Sequence, residues 1–159
     1  MKQKSLVIEY DEYINSEGMQ KEDLDLLGHA IDATKNAYAP YSNFKVGAAV
    51  KLSNGEIISA SNQENAAYPS GLCAERVAIF YAHARYPEAS IQSLAVTASV
   101  NGNQCETPTY PCGACRQVLA ESEQRGGDPI KIIIGGVKVT QIVKGTSSLL
   151  PFVFDNLPK

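Results

Sequence analysis

Nowhere in its 159 residues does the chain hold an apolar run approaching the ~18–20 residues that cross a bilayer as a helix, so no membrane span is expected. The first fifteen residues offer only Leu6-Val7-Ile8 before acidic positions, which is not the pattern of a secretory signal. A chain that is not exported keeps its thiols reduced, and a cytoplasmic address is expected. Surplus positive charge is missing too: 14 Lys and Arg stand against 17 Asp and Glu, for a net charge of −3. No cluster of Lys and Arg supplies the basic face that tracks a phosphate backbone, so polymeric nucleic acid is disfavoured as a partner. There is no internal repeat and no low-complexity segment. Histidine is scarce, and neither His29 nor His83 has a partner at ligand spacing.

What remains is a composition of 44% apolar and 19% charged residues, that of a globular domain with a sizeable core. Residues 1–20 read as a polar, acidic leader with a short strand at Ser5–Tyr10. From Lys21 to Tyr38, Leu24, Leu27, Ile31 and Ala37 follow helical spacing, and Pro40 stops the helix. Phe44–Leu52 and Glu56–Ser61 flank Asn54-Gly55, a hairpin signal. A helix beginning near Cys73 carries Val77, Phe80, Tyr81 and Ala84 as its expected buried stripe. A strand at Ser93–Val100 follows, and then a helix from Pro111 to about Gln124 with Val118 and Leu119 inward. Strands at Ile130–Ile134 and Val137–Val143 complete the pattern. Alternating strands and helices imply an α/β layered domain with parallel pairings, and the opening hairpin makes the sheet mixed.

Four cysteines in a reduced compartment read better as metal ligands than as disulfides. Cys112 and Cys115 are three apart at a predicted helix start, and Cys73 lies at another. Three soft thiolates suit Zn²⁺ and leave one tetrahedral position for water, as catalytic zinc sites require. Glu75, two residues from a ligand, is placed to move protons on and off that water. Three thiolates leave the ion a net charge of −1. Arg76 and Arg116 each offer guanidinium hydrogen bonds to the sulfurs that offset it, or else are ordinary surface residues. Two duller readings compete: a closed four-cysteine site with Cys105 as fourth ligand, and unligated core cysteines.

Cys73-Ala74-Glu75-Arg76 with Pro111-Cys112-Gly113-Ala114-Cys115-Arg116-Gln117 resembles the cytidine deaminase signature. The likeness extends to Tyr38–Ala49, to Asn62-Gln63-Glu64-Asn65-Ala66-Ala67-Tyr68, and to Leu149-Leu150-Pro151 with Phe154, covering roughly residues 21–154 in order. The resemblance implies a three-layer α/β/α sandwich with a mixed five-stranded sheet, formed by a single domain over residues 21–159. It implies hydrolytic deamination of cytidine and 2′-deoxycytidine to uridine and 2′-deoxyuridine in pyrimidine salvage. One Zn²⁺ per subunit would sit on Cys73, Cys112 and Cys115. Zinc-bound hydroxide would attack C4, with Glu75 shuttling protons to N3 and to the leaving amine.

Substrate binding would fall to Phe44 at the base, Asn62 and Glu64 at the ribose 3′-hydroxyl, and Ala74. Turn formation is the plainer reading of Asn62 and Glu64, and core packing that of Phe44. Relatives with Cys-Ala-Glu are generally small homotetramers, in which an aromatic matching Phe154 reaches a neighbouring subunit's site. The leader and Cys105 have no clear counterpart. Rival readings are a deaminase of another small aminopyrimidine such as blasticidin S, an editing deaminase on RNA or DNA, and a zinc-stabilised binding module without catalysis.

Overall fold

In a computed structural model the chain is described over residues 1–155; the last four positions of the expected 21–159 domain lie outside the described residues. The elements in order are β1 (Asp11–Ile14), α1 (Lys21–Ala33), β2 (Phe44–Leu52), β3 (Ile57–Ser61), α2 (Ala74–Arg85), β4 (Ile91–Val100), β5 (Asn103–Gln104), α3 (Gly113–Gly126), β6 (Lys131–Ile134) and β7 (Val139–Lys144). One sheet orders them β1-β7-β6-β4-β2-β3, with β5 paired to the end of β4. Among the strands of the described residues only β4 and β6 pair parallel, joined by the α3 crossover, so the sheet is mixed as expected.

Strand parity explains the three layers. Along β2, β4, β6 and β7, Val50, Leu94, Ile132 and Val143 are register partners, and all pack against α2 and α3. One residue away, Ala49, Ala95, Ile133 and Ile142 form the matching row on the opposite face, covered by Leu26, Leu27 and Ala30 of α1. Because successive side chains alternate faces, both faces are apolar and the strands read as continuous hydrophobic runs. Each buried Ile or Leu in these rows contributes about 1.5–3 kcal/mol. At Gly47 the end of α1 lies directly on the sheet. A Cβ there would overlap the Ala30 carbonyl oxygen and stand 2.8 Å from the Thr34 nitrogen.

Several expectations are corrected. The sheet has seven strands, two more than the five expected, because β1 and the two-residue β5 are added to its margins. The leader's strand forms at Asp11–Ile14 and not at Ser5–Tyr10. There the polar residues pair antiparallel with β7, while Leu6, Val7 and Ile8 stay exposed. On α1 the buried stripe is Asp23, Leu26, Leu27, Ala30 and Ala33, and Leu24 is exposed. Asp23 tolerates burial by accepting an ion pair from Lys131 at 2.8 Å. On α2 the stripe is Ala74, Glu75, Ala78, Ile79 and Ala82, whereas Phe80 and Tyr81 face outward at 49% and 55% exposure. Small alanines let this helix lie close on the sheet, and the bulky aromatics are left on the far side.

Candidate metal centre and its cavity

The metal cluster is assembled by two helix N-termini. The crossover from β4 to parallel β6 starts α3 beyond the C-terminal end of β4. Helix α2 descends toward the start of β4, so its own N-terminus lies at that same end. Cys73 is the N-cap of α2 and Cys112 the N-cap of α3, both with extended backbone. The Cys73 carbonyl accepts from the Val77 amide at 3.1 Å, and that of Cys112 from Arg116 at 2.9 Å. Unpaired amides of both first turns favour negative charge on the sulfurs.

The Cys73 and Cys112 sulfurs are 3.7 Å apart, and those of Cys112 and Cys115 are 3.5 Å apart. All three lie within 4.8 Å of one another. A tetrahedral ion with Zn–S bonds of about 2.3 Å sets sulfurs about 3.8 Å apart, so the cluster has the spacing and the donor chemistry of a zinc site. Cys105 is not a member among the described residues, so the closed four-cysteine arrangement is not formed. Three thiolates are one ligand fewer than tetrahedral zinc takes.

Arg76 Nη2 donates to Cys73 Sγ at 3.8 Å, one of the two alternatives the sequence leaves open for it. Arg116 does something else. Its Nε donates to the Pro111 carbonyl at 2.8 Å and its Nη1 to that of Leu149 at 2.9 Å, holding the backbone that leads into Cys112. The Cys73 thiol is pushed down to about 5, chiefly by its hydrogen bond with Cys115 and then by Arg76, against the opposing effect of burial. Cys115 shifts upward, through the same bond to Cys73 and through burial. Cys73 is thus the sulfur that faces the guanidinium of Arg76.

Glu75 is only 4% exposed. Burial holds its carboxyl above the usual range, and charge on Cys73 adds to this, while a hydrogen bond from its own amide works the other way. A buried carboxyl shifted upward in this way can both take and give a proton.

Cys73, Cys112, Glu75 and Arg76 open onto a cavity of about 650 Å³. Phe44, Asn62 and Glu64 line it, but Ala74 and Cys115, both fully buried, do not. Asn62 Nδ2 donates to the Phe44 carbonyl at 2.9 Å and its Oδ1 accepts from the Val46 amide at 2.8 Å. One amide hydrogen and one lone pair remain for a ligand. Glu64 accepts from the Tyr41 amide at 2.9 Å and from the Ser42 amide and hydroxyl. The turn-forming reading of these two side chains is thus met by their bonds, and both also face the cavity. Phe154 is 67% exposed, with its backbone clasped by Gln117, and lies outside the cavity lining.

Sequence reasoning missed Tyr41, Tyr68 and Tyr110 as lining residues. Tyr41 and Tyr68 meet edge-to-face with ring centroids 5.9 Å apart. Both fall inside the quoted Tyr38–Ala49 and Asn62–Tyr68 segments, and Tyr110 directly precedes Pro111-Cys112; that adjacency was the available signal.

The family model for the cytidine and deoxycytidylate deaminase zinc-binding region matches residues 20–126. Cytidine deaminase of Sporosarcina psychrophila is 40% identical over 131 residues, covering 81% of this chain and 88% of its own. That of Halalkalibacterium halodurans is 44% identical over 96 residues, 60% of this chain and 68% of its own. Among solved structures, cytidine deaminase from Burkholderia pseudomallei superposes with a TM-score of 0.69 at 34% identity, over 86% of this chain and all of that one. The enzyme from Mycobacterium tuberculosis gives a TM-score of 0.66 at 32% identity, over 84% of this chain and 97% of that one.

Proposed function

Because the chain belongs to the cytidine and deoxycytidylate deaminase family, we propose that it hydrolyses cytidine and 2′-deoxycytidine to uridine and 2′-deoxyuridine, with release of ammonia, in pyrimidine salvage. The observation that carries this reading is the cluster of three sulfurs at zinc-like spacing, two of them on the cavity wall, beside a buried carboxyl. Cys73, Cys112 and Cys115 hold the zinc, which when bound supplies a water of pKa about 7 for attack on C4. Glu75 takes the two protons of that water in turn and delivers the first to ring N3 and the second to the departing amine. Arg76 offsets the charge of the ligand sulfurs. Phe44 packs on the base, Ala74 contributes through its backbone at the head of α2, and Asn62 and Glu64 hold the ribose 3′-hydroxyl.

The charge of the lining favours a nucleoside over a nucleotide. Glu64 and Glu75 are acidic, and among the described residues the one cationic lining residue, Arg76, is engaged with Cys73. A phosphate placed there would meet like charge, with no free cation among the described lining residues to answer it. The same argument, with the net charge of −3, weighs against RNA or DNA as substrate.

We read the assembly as a homotetramer in which Phe154 serves a neighbouring site. The outward Phe80 and Tyr81 and the 67% exposure of Phe154 support this. No helix among the described residues is long and apolar enough to cross a membrane, which accords with a cytoplasmic address. Residues 11–155 act as one folding unit in this reading, since β1 joins the sheet and Met19 enters the core under α1.

The deciding experiment incubates purified protein with cytidine, 2′-deoxycytidine, cytidine monophosphate and blasticidin S. Ammonia release is followed alongside zinc per subunit, and sedimentation reports the assembly. Turnover of the two nucleosides with one zinc per chain is expected. Zinc binding with no turnover of any of them would leave a binding module instead.

A further inference from the structure

The cavity's Tyr110 is tied to a strand that precedes the family-matched region. That region begins at residue 20, and β1 lies before it, at Asp11–Ile14. Glu12 of β1 and Gln141 of β7 are register partners, so their side chains project together from one face of the sheet. Val139 and Val143 share that parity, and Val143 packs under α2 and α3, the side that carries the metal cluster. Gln141 Nε2 donates to Glu12 Oε2 at 2.7 Å, and Tyr110 donates its hydroxyl to Gln141 Oε1 at 2.6 Å.

The direction of this chain of bonds is fixed from its outer end. An ionised carboxylate can only accept, so Glu12 selects the amide NH₂ of Gln141 and turns the amide oxygen toward Tyr110. That oxygen can only accept as well, so the tyrosine must spend its proton on it. The phenol oxygen is left with lone pairs for a donor in the cavity. The backbone leading to Tyr110 is fastened further back: Val137 and Lys138 amides bond the Cys105 and Glu106 carbonyls at 3.0 and 2.9 Å. Arg116 fixes the Pro111 carbonyl on the other side. Between these points the tyrosine side chain is the tether that sets the cavity wall.

We propose that Glu12 is a positioning residue for nucleoside binding, acting through Gln141 to orient Tyr110 as a hydrogen-bond acceptor and wall of the cavity. The β1 strand thereby contributes to substrate affinity from outside the catalytic core. This rests on the nucleoside-deaminase reading of that cavity.

The test compares wild type with Glu12→Ala, Gln141→Ala, Tyr110→Phe and the Glu12→Ala/Tyr110→Phe double variant. Steady-state cytidine kinetics are measured together with hydrogen exchange of the peptide spanning residues 106–112. Loss of one such hydrogen bond is worth roughly three- to tenfold in affinity. Each single variant should therefore raise KM by about that factor, with kcat within about twofold and zinc content unchanged. The double variant should be no worse than Tyr110→Phe alone, because both break one chain of contacts. Exchange of the 106–112 peptide should quicken in Glu12→Ala and Gln141→Ala. An unchanged KM in Glu12→Ala, multiplicative losses in the double variant, or unchanged exchange would each overturn the proposal. If wild type failed to turn over cytidine, the functional reading would fall, and the exchange comparison would still decide the tether.

Discussion

Replacing Glu75 by Gln separates catalysis from metal binding and from folding. The side chain is 4% exposed at the start of α2, and the amide matches the carboxyl in size, so no cavity opens. The bond that Glu75 accepts from its own backbone amide survives, since Gln retains one carbonyl oxygen. Burial already disfavours charge at this position, so removing the ability to ionise costs little stability, within about 1 kcal/mol. The three sulfurs are untouched, and zinc per chain should stay as in wild type. Only proton transfer is lost. Positioned acid–base groups supply about 10²–10⁴-fold, which is about 2.7–5.4 kcal/mol at 1.36 kcal/mol per tenfold. The expected outcome is a kcat for cytidine at least a hundredfold lower with KM within a few-fold, followed by ultraviolet absorbance, with metal analysis on the same sample. A kcat within tenfold of wild type would refute the role of this carboxyl. Loss of zinc would show instead that Glu75 belongs to the ligand set.

Cys73→Ala should release the metal, abolish turnover and lower the melting temperature by roughly 8–16 °C, if zinc normally sits near a thousand times its Kd; metal analysis and calorimetry check it, and an unchanged melting point would argue that the site adds nothing to the fold. Glu64 gives a pH prediction. Its folded carboxyl lies below the ordinary 4.5, chiefly through the Ser42 hydroxyl and then the Tyr41 amide. The stability it contributes is therefore complete above about pH 4.5 and is lost as pH falls through the folded value. Glu64→Gln should flatten the acid limb of melting temperature against pH, and an identical limb would count against the Tyr41–Ser42 tether. Gly47→Ala should destabilise by roughly 1–3 kcal/mol or more in urea titration, because the added methyl meets backbone of α1 and has no flexible neighbour to displace; a change under 0.5 kcal/mol would mean that α1 can move away freely.

The metal cluster was legible because its chemistry is carried by residue type at short spacing. Cys112 and Cys115 must share a helical turn, and Cys73 followed by Glu75 requires a helix tip to bring both to one site; the N-cap positions meet that requirement. Phe80 and Tyr81 misled for the opposite reason. Hydrophobicity marks what must be covered, not what covers it, and on α2 the alanines at 74, 78 and 82 took the sheet-facing side. Arg116 sat one residue from a ligand, yet helical rotation carried its guanidinium to the carbonyls of Pro111 and Leu149. The link from Tyr110 to Glu12 was beyond sequence reasoning, since Glu12 and Gln141 stand 129 positions apart and only strand pairing unites them.

These misses share a direction. Contacts within a helical turn obey periodicity, whereas the cavity wall is built from segments near residues 41–46, 62–76 and 109–112 that only the sheet brings together. The same sheet leaves an aromatic face on α2 uncovered. Two large rings held about half-exposed midway along the helix that Cys73 caps are an expensive surface for a lone chain to present to water. A neighbouring subunit laid on that face would bury the rings and press on the helix that aims Cys73 and Glu75. Assembly and catalysis would then depend on one and the same helix.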